Sequence, residues 1–235
     1  MKDESLSNAL ADTVASPQSI ELTGELAEFT LDQAIGSEVL KDVPVVGWLA
    51  KGLSAASSIS DRLLFNKILR FLTQLESLNS KEKAEFTAMV RIDRDYRRRV
   101  GERLILALDR VDEPHKLEIL AKCFDLFLTG HLDYEEFSEL AHVVDRAFLP
   151  DIRSLSVGKR RSLNDGQRMA ICGLATAATE KSVRGNREEF ETRYQMSQIG
   201  LKLRTILKGT YRDFFAKHPE SDRSRYLLLW DMYGK

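Results

Sequence analysis

Val43-Pro44-Val45-Val46-Gly47-Trp48-Leu49-Ala50-Lys51-Gly52-Leu53-Ser54-Ala55-Ala56-Ser57-Ser58-Ile59 carries a single charge, at Lys51. Pro44 suits the first turn of a helix, where a backbone N–H has no partner to lose. Val45, Leu49, Leu53, Ala56, Ser60 and Leu63 then recur at intervals of three and four, the spacing of one helical face. After a break near Ser60-Asp61 the pattern resumes through Leu64, Ile68, Phe71, Leu72 and Leu75. A helix this apolar must hide one side, which predicts a mainly α chain built as a helical bundle. Its apolar side has two destinations: the centre of the bundle, or a partner or membrane surface with Trp48 at the interface. On the second, Val45, Trp48, Leu49 and Leu53 are the contact residues.

Composition agrees with a folded helical chain. Of 235 residues, 43% are hydrophobic and 30% charged, and 13 Gly and 5 Pro are few enough to favour helix over strand. Cys123 and Cys172 lie inside apolar runs, as buried reduced thiols do. Acids at Asp3 and Glu4 stand where a signal peptide needs basic residues. No stretch reaches the roughly 18 to 20 apolar residues that span a bilayer. A cytoplasmic chain, peripheral at most to the inner membrane, is the expectation. Charge is split along the chain, about −7 over residues 1–42 and about +7 over residues 150–235, which leaves the carboxy-terminal third able to meet an acidic partner.

Other signals set the remaining elements. Residues 1–19 read as a flexible polar arm, and residues 20–150 as the bundle, beginning with a weak acidic helix to about 42. Asn79 and Glu82 have capping-box spacing and open a helix expected over about 80–110. Asp112-Glu113-Pro114 starts the next, which Gly130 ends; Leu132-Asp133-Tyr134-Glu135-Glu136 starts another, which Pro150 stops near Phe148. Residues 151–162 form a basic, serine-rich connector. Residues 163–235 then read as a helix–hairpin–helix unit. Its helix is capped by Asn164 or Asp165 and runs through Met169, Leu174 and Ala178. The hairpin pairs Lys181–Arg184 with Phe190–Met196 around Gly185-Asn186, and the last helix is capped by Ser197. The apolar tail Tyr226–Trp230 is expected to dock on the core.

Two segments resemble known families. Residues 125–137 are similar to an EF-hand, with Asp125 first, Gly130 at the sharp turn, Leu132 at the apolar eighth place and Glu136 twelfth. That resemblance implies a calcium site, but Phe127 and Thr129 hold the third and fifth places, and a phenyl ring cannot ligate a hard cation. A metal-free helix-turn-helix with Gly130 as the C-cap is therefore expected. Residues 190–207 resemble the strand-to-helix junction of winged-helix domains, read as Tyr194-Gln195-Met196-Ser197-Gln198-Ile199-Gly200-Leu201-Lys202-Leu203. This resemblance implies contact with DNA or protein, with Lys181, Arg184, Arg187 and Arg193 on phosphate, joined by Lys159, Arg160 and Arg161 of the connector. Against it, Met169–Ala178, just ahead of the hairpin, is nearly all apolar and offers no recognition helix.

Arg91, Arg94, Arg97, Arg98, Arg99 and Arg103 form a dense run interleaved with Asp93, Asp95 and Glu102, which predicts a salt-bridged, solvated face over a phosphate-binding stripe. Of His115, His131, His142 and His218, only His142 has a helical carboxylate at the useful offset, Glu139, and a di-iron bundle needs that pair twice. No nucleophile elbow, phosphate-cradling glycine loop or zinc spacing occurs, so no catalytic residue, metal or cofactor is assigned. The leading expectation is a non-enzymatic interaction or regulatory protein using the helix at 43–75 toward a protein partner, a second copy of itself or a membrane surface. A nucleic-acid-associated regulator and a helical enzyme with dispersed residues are the alternatives.

Overall fold

The computed structural model of the chain describes residues 5–16, 42–52, 58–75, 81–157, 163–184 and 187–209. Several expectations lie outside these residues: the helix at 20–42, Asn79 as a cap, the Gly185-Asn186 turn and the tail at 226–230. Within them the protein is mainly helical, with a two-stranded antiparallel hairpin followed by a helix. The chain divides into two compact units, Met1–Ala141 and His142–Lys235.

The first unit begins with a correction to the flexible arm. Leu6–Ala15 is helix α1, capped by Ser5, whose Oγ accepts the Asn8 N–H at 3.3 Å. Six of its ten residues are buried, among them Ala9, Leu10, Ala11 and Val14. A ten-residue helix is marginal alone in water; α1 persists because it packs on α2 (Pro44–Gly52), α4 (Ala84–Ile92) and above all α5 (Arg94–Arg110). Gly101 of α5 permits that crossing, since a Cβ there would collide with the Ser7 carbonyl oxygen.

Helix α3 (Ile59–Thr73) starts at Ser58, ahead of the expected break. The single helix expected over 80–110 is two, α4 and α5, after a 3-10 turn at Lys81–Lys83. Asp93 divides them: its backbone is extended and its Oδ1 accepts the amides of Asp95 at 2.9 Å and Tyr96 at 3.0 Å, so a side chain that tolerates the helix interior poorly becomes the next helix's cap. Helix α6 (Pro114–Leu128) begins with Pro114 in its first turn. Its Phe124 ring is fully buried and lies 5.5 Å from Phe71, 6.1 Å from Phe86, 5.6 Å from Phe127 and 5.2 Å from Phe137 between centroids. This aromatic cluster, at the separations aromatic pairs prefer, is the centre of the first unit.

Helix α7 (Tyr134–Arg146) continues across the division between units. In the second unit, residues 151–157 of the expected connector are helical, within α8 (Leu149–Val157), and Pro150 sits in the first turn of that helix rather than closing the one before. Asp151 is buried there and takes a two-pronged contact from Arg168 of α9 (Leu163–Ile171), at 2.8 and 3.1 Å. Helix α9 ends earlier than the expected Ala178. Gly173 has φ +89°, its N–H reaches the Ala170 carbonyl at 3.2 Å and the Leu174 N–H reaches that of Met169 at 2.7 Å, a Schellman stop that a glycine makes cheaply.

Strand β1 (Ala175–Arg184) therefore takes in residues expected to be helical, pairing with β2 (Arg187–Met196) from Ala175 opposite Met196 to Arg184 opposite Arg187. Thr176 and Thr179, opposite Gln195 and Thr192, suit the sheet. The last described helix, α10 (Gln198–Leu207), opens at Ser197, whose Oγ accepts the Gly200 N–H at 3.0 Å and donates to the Gly173 carbonyl at 2.5 Å. Gly200 is required because a Cβ there would strike the Leu174 carbonyl oxygen. The Ser and Gly of the winged-helix-like junction are thus explained by how α10 seats on the base of the hairpin.

Candidate functional site

The segment that decided the fold is helical on both sides of residues 53–57, as α2 and α3. Of the four contact residues expected on α2, Val45 is fully buried together with Val46, against α1. The Val45 N–H, a first-turn amide of α2, donates to Thr13 Oγ1 at 2.9 Å. Val45 is therefore a core residue and is corrected as a surface contact. Trp48 is half-buried; the Leu49 side chain and Leu53 lie outside what is described.

Among the described residues of this segment, the large exposed apolar side chains are on α3. Residues 58–63 are exposed one after another, and the first buried position is Phe65. The helix is nonetheless well formed there, because Ser58 and Asp61 make a reciprocal capping box: Ser58 Oγ accepts the Asp61 N–H at 3.2 Å while Asp61 Oδ2 accepts the Ser58 N–H at 3.0 Å. Ile59 is 79% exposed and Leu63, one turn on, 56%. Such a pair forms a stripe of its own. The sequence reading had this stripe only in part, since it placed Leu63 with Val45 and Leu49 on a hidden face.

Within the hairpin, the register spaces the basic positions proposed for phosphate contact along the ladder. Arg193 is exposed at the pair with Ala178, whereas Arg184 and Arg187 oppose each other at the far end of the hairpin, six residues away, about 20 Å along a strand. Between them Lys181 pairs with Phe190, and Glu180 faces Glu191 across the ladder. The hairpin's four basic residues are matched in number by Glu180, Glu188, Glu189 and Glu191, so its formal charge sums to zero. Lys159, Arg160 and Arg161 lie outside the described residues. Because α9 ends at Ile171, the helix ahead of the hairpin is more polar than the run Met169–Ala178 suggests, with Asn164 and Gln167 exposed on it; Leu163 and Ile171 are exposed beside them.

Arginines of the dense run are engaged inside the first unit. Arg97 meets Asp12 of α1 at 2.7 Å, Arg98 meets Asp95 at 3.3 Å and Glu102 at 3.5 Å, and Arg103 donates to the Ser138 carbonyl. The Arg99 guanidinium lies 5.6 Å from the centre of the Tyr134 ring, at cation–π range. Local pairing of the kind expected is found at Arg98, while Arg97 reaches across to α1.

At the EF-hand-like loop the chemistry is structural. Gly130 has φ +72°, its N–H reaches the Phe127 carbonyl at 3.1 Å, and the His131 N–H reaches that of Leu126 at 2.8 Å, again a Schellman stop. Glu136 Oε2 accepts the Asp133 N–H at 2.9 Å, and Asp133 Oδ1 the Glu136 N–H at 2.8 Å, so this carboxylate caps α7. Phe127 stacks on Phe137 at 5.4 Å with 17° between planes. Among the described residues no group of three or more His, Cys, Asp or Glu is placed to hold a metal. No described helix is long and apolar enough to cross a membrane.

Two titratable groups escaped sequence reading. Lys83 is buried and donates to the Val14 carbonyl at the end of α1, at 3.2 Å; loss of water lowers its pKa from the ordinary lysine value. Tyr96 is half-buried, and burial, followed by the nearby Glu85 charge, raises its phenol to about 12. Leu6, Leu10 and Val14, each four apart behind a capping Ser5, were the signal that would have exposed α1 and, with it, a role for Lys83. Burial likewise pushes the Cys123 thiol up to about 12 and raises that of Cys172, which leaves both protonated at neutral pH and poor nucleophiles. No family model, no curated protein and no solved structure matches this chain.

Proposed function

We propose that the chain is a non-enzymatic interaction protein that engages a protein partner by laying the first turns of α3 into an apolar groove. The observation that carries this is the capped stretch Ser58–Leu63, exposed on every side with Ile59 and Leu63 in one stripe. A helix that is open all round fits a groove that encloses it, the helix-in-groove mode of recognition. A flat apolar surface would cover only one side. The burial of Val45 takes one of the four α2 candidates out of reach of any partner, which leaves the open start of α3 as the contact surface.

Magnitudes bear on the kind of partner. Full burial of two large aliphatic side chains yields roughly 3–6 kcal/mol. Association costs of about 4–15 kcal/mol consume that. Two such stubs from identical copies bring four side chains and roughly 6–12 kcal/mol, which lies within the range of that cost and leaves no margin for a stable dimer, so the partner has to contact residues beyond the stripe.

Site-specific photocrosslinking of the full chain in its source cells tests the proposal. A photoreactive residue at position 63 is expected to give a discrete adduct with another protein, and one at the exposed Arg70 of the same helix is not. Ile59→Glu, at an exposed site that leaves the fold intact, should abolish the adduct. Adducts of equal yield at 63 and 70, or none at 63, would overturn it; co-sedimentation with anionic vesicles lost in Ile59→Glu would replace the protein partner with a membrane.

A further inference from the structure

We draw no further inference here: the strongest candidate, the pair of exposed apolar side chains Leu163 and Ile171 on the outer side of α9 in the second unit, is an unpartnered face and nothing in the structure shows what covers it.

Discussion

Thr13 closes the first turn of a helix that begins more than thirty residues after it: its Oγ1 accepts the Val45 N–H at 2.9 Å and donates to the Ala9 carbonyl of its own helix at 2.8 Å. One buried hydroxyl thereby serves α1 and α2 together. Thr13→Val keeps the shape and removes both bonds, leaving a buried N–H without an acceptor, at a cost of about 1–3 kcal/mol. Thr13→Ser is expected to cost much less. Urea unfolding checks the pair: the midpoint should fall for valine with little change in slope, and equal midpoints for the two variants would show that the bond to Val45 contributes nothing.

Gly101 is held to its identity by contact with backbone, which cannot swing aside as a side chain would. Gly101→Ala should force α1 away from α5 and destabilise the protein by about 1–3 kcal/mol or more. Hydrogen exchange should then accelerate across residues 8–15 first. Gly130→Asn provides the contrast, because nothing lies within 4 Å of its added Cβ and asparagine tolerates the positive φ of that turn. If Gly101→Ala left α1 exchange unchanged, α1 would not be packed as closely as the Ser7 crossing requires.

Alkaline pH separates Lys83 from Tyr96 by sign. The folded Lys83 holds its proton less well than the unfolded chain, so between its lowered pKa and the ordinary 10.5 the unfolded state binds more protons and stability rises with pH. Tyr96 does the opposite: its contribution is complete below the ordinary 10.0 and is lost as pH climbs toward about 12. Thermal unfolding from pH 8 to 11.5 should show Lys83→Met losing the earlier rise and Tyr96→Phe losing the later fall. A Lys83→Met profile parallel to the wild type would contradict the burial of that ammonium.

Calcium at millimolar concentration should leave the melting temperature unchanged, since the Glu136 carboxylate is committed to the Asp133 N–H and Phe127 occupies a ligand place. Asp133→Ala should instead lower stability by about 1 kcal/mol through loss of the cap, with or without the ion. A rise of melting temperature with calcium that Asp125→Asn abolishes would restore the loop as a cation site.

How much of this was legible depended on whether a residue's role was local. Pro114, Gly130 and Asp133 act on their own helix ends, and the helices they delimit are found where the sequence put them. The presence of a hairpin and the cap at Ser197 were legible for the same reason, but the ladder sets Lys181–Arg184 against Arg187–Phe190 rather than against the whole of Phe190–Met196. Helix α1 left a local signal in Ser5, Leu6, Leu10 and Val14, but a segment of ten residues holds as a helix only through Gly101, Arg97 and Lys83, dozens of positions away. Ala175–Ala178 misread as helix because Ala and Thr leave the choice open, and it was settled by the turn at Gly173 and by residues 193–196 across the ladder. Of the candidate site, sequence patterning marked the 43–75 region but could not separate Val45 and Val46, buried where α1 packs on α2, from the open start of α3.

The clasp at Ser197 has a practical corollary. Its hydroxyl joins the chain entering the hairpin, at Gly173, to the chain leaving it, while the Ser197 N–H is bonded to the Leu174 carbonyl at 3.1 Å. Both ends of the excursion are thus pinned at one point and stay together whatever length of ribbon extends beyond them. Shortening it by matched residue pairs, or grafting a foreign ribbon in its place, should therefore leave the seating of α10 undisturbed, which makes this hairpin a natural cassette for insertion.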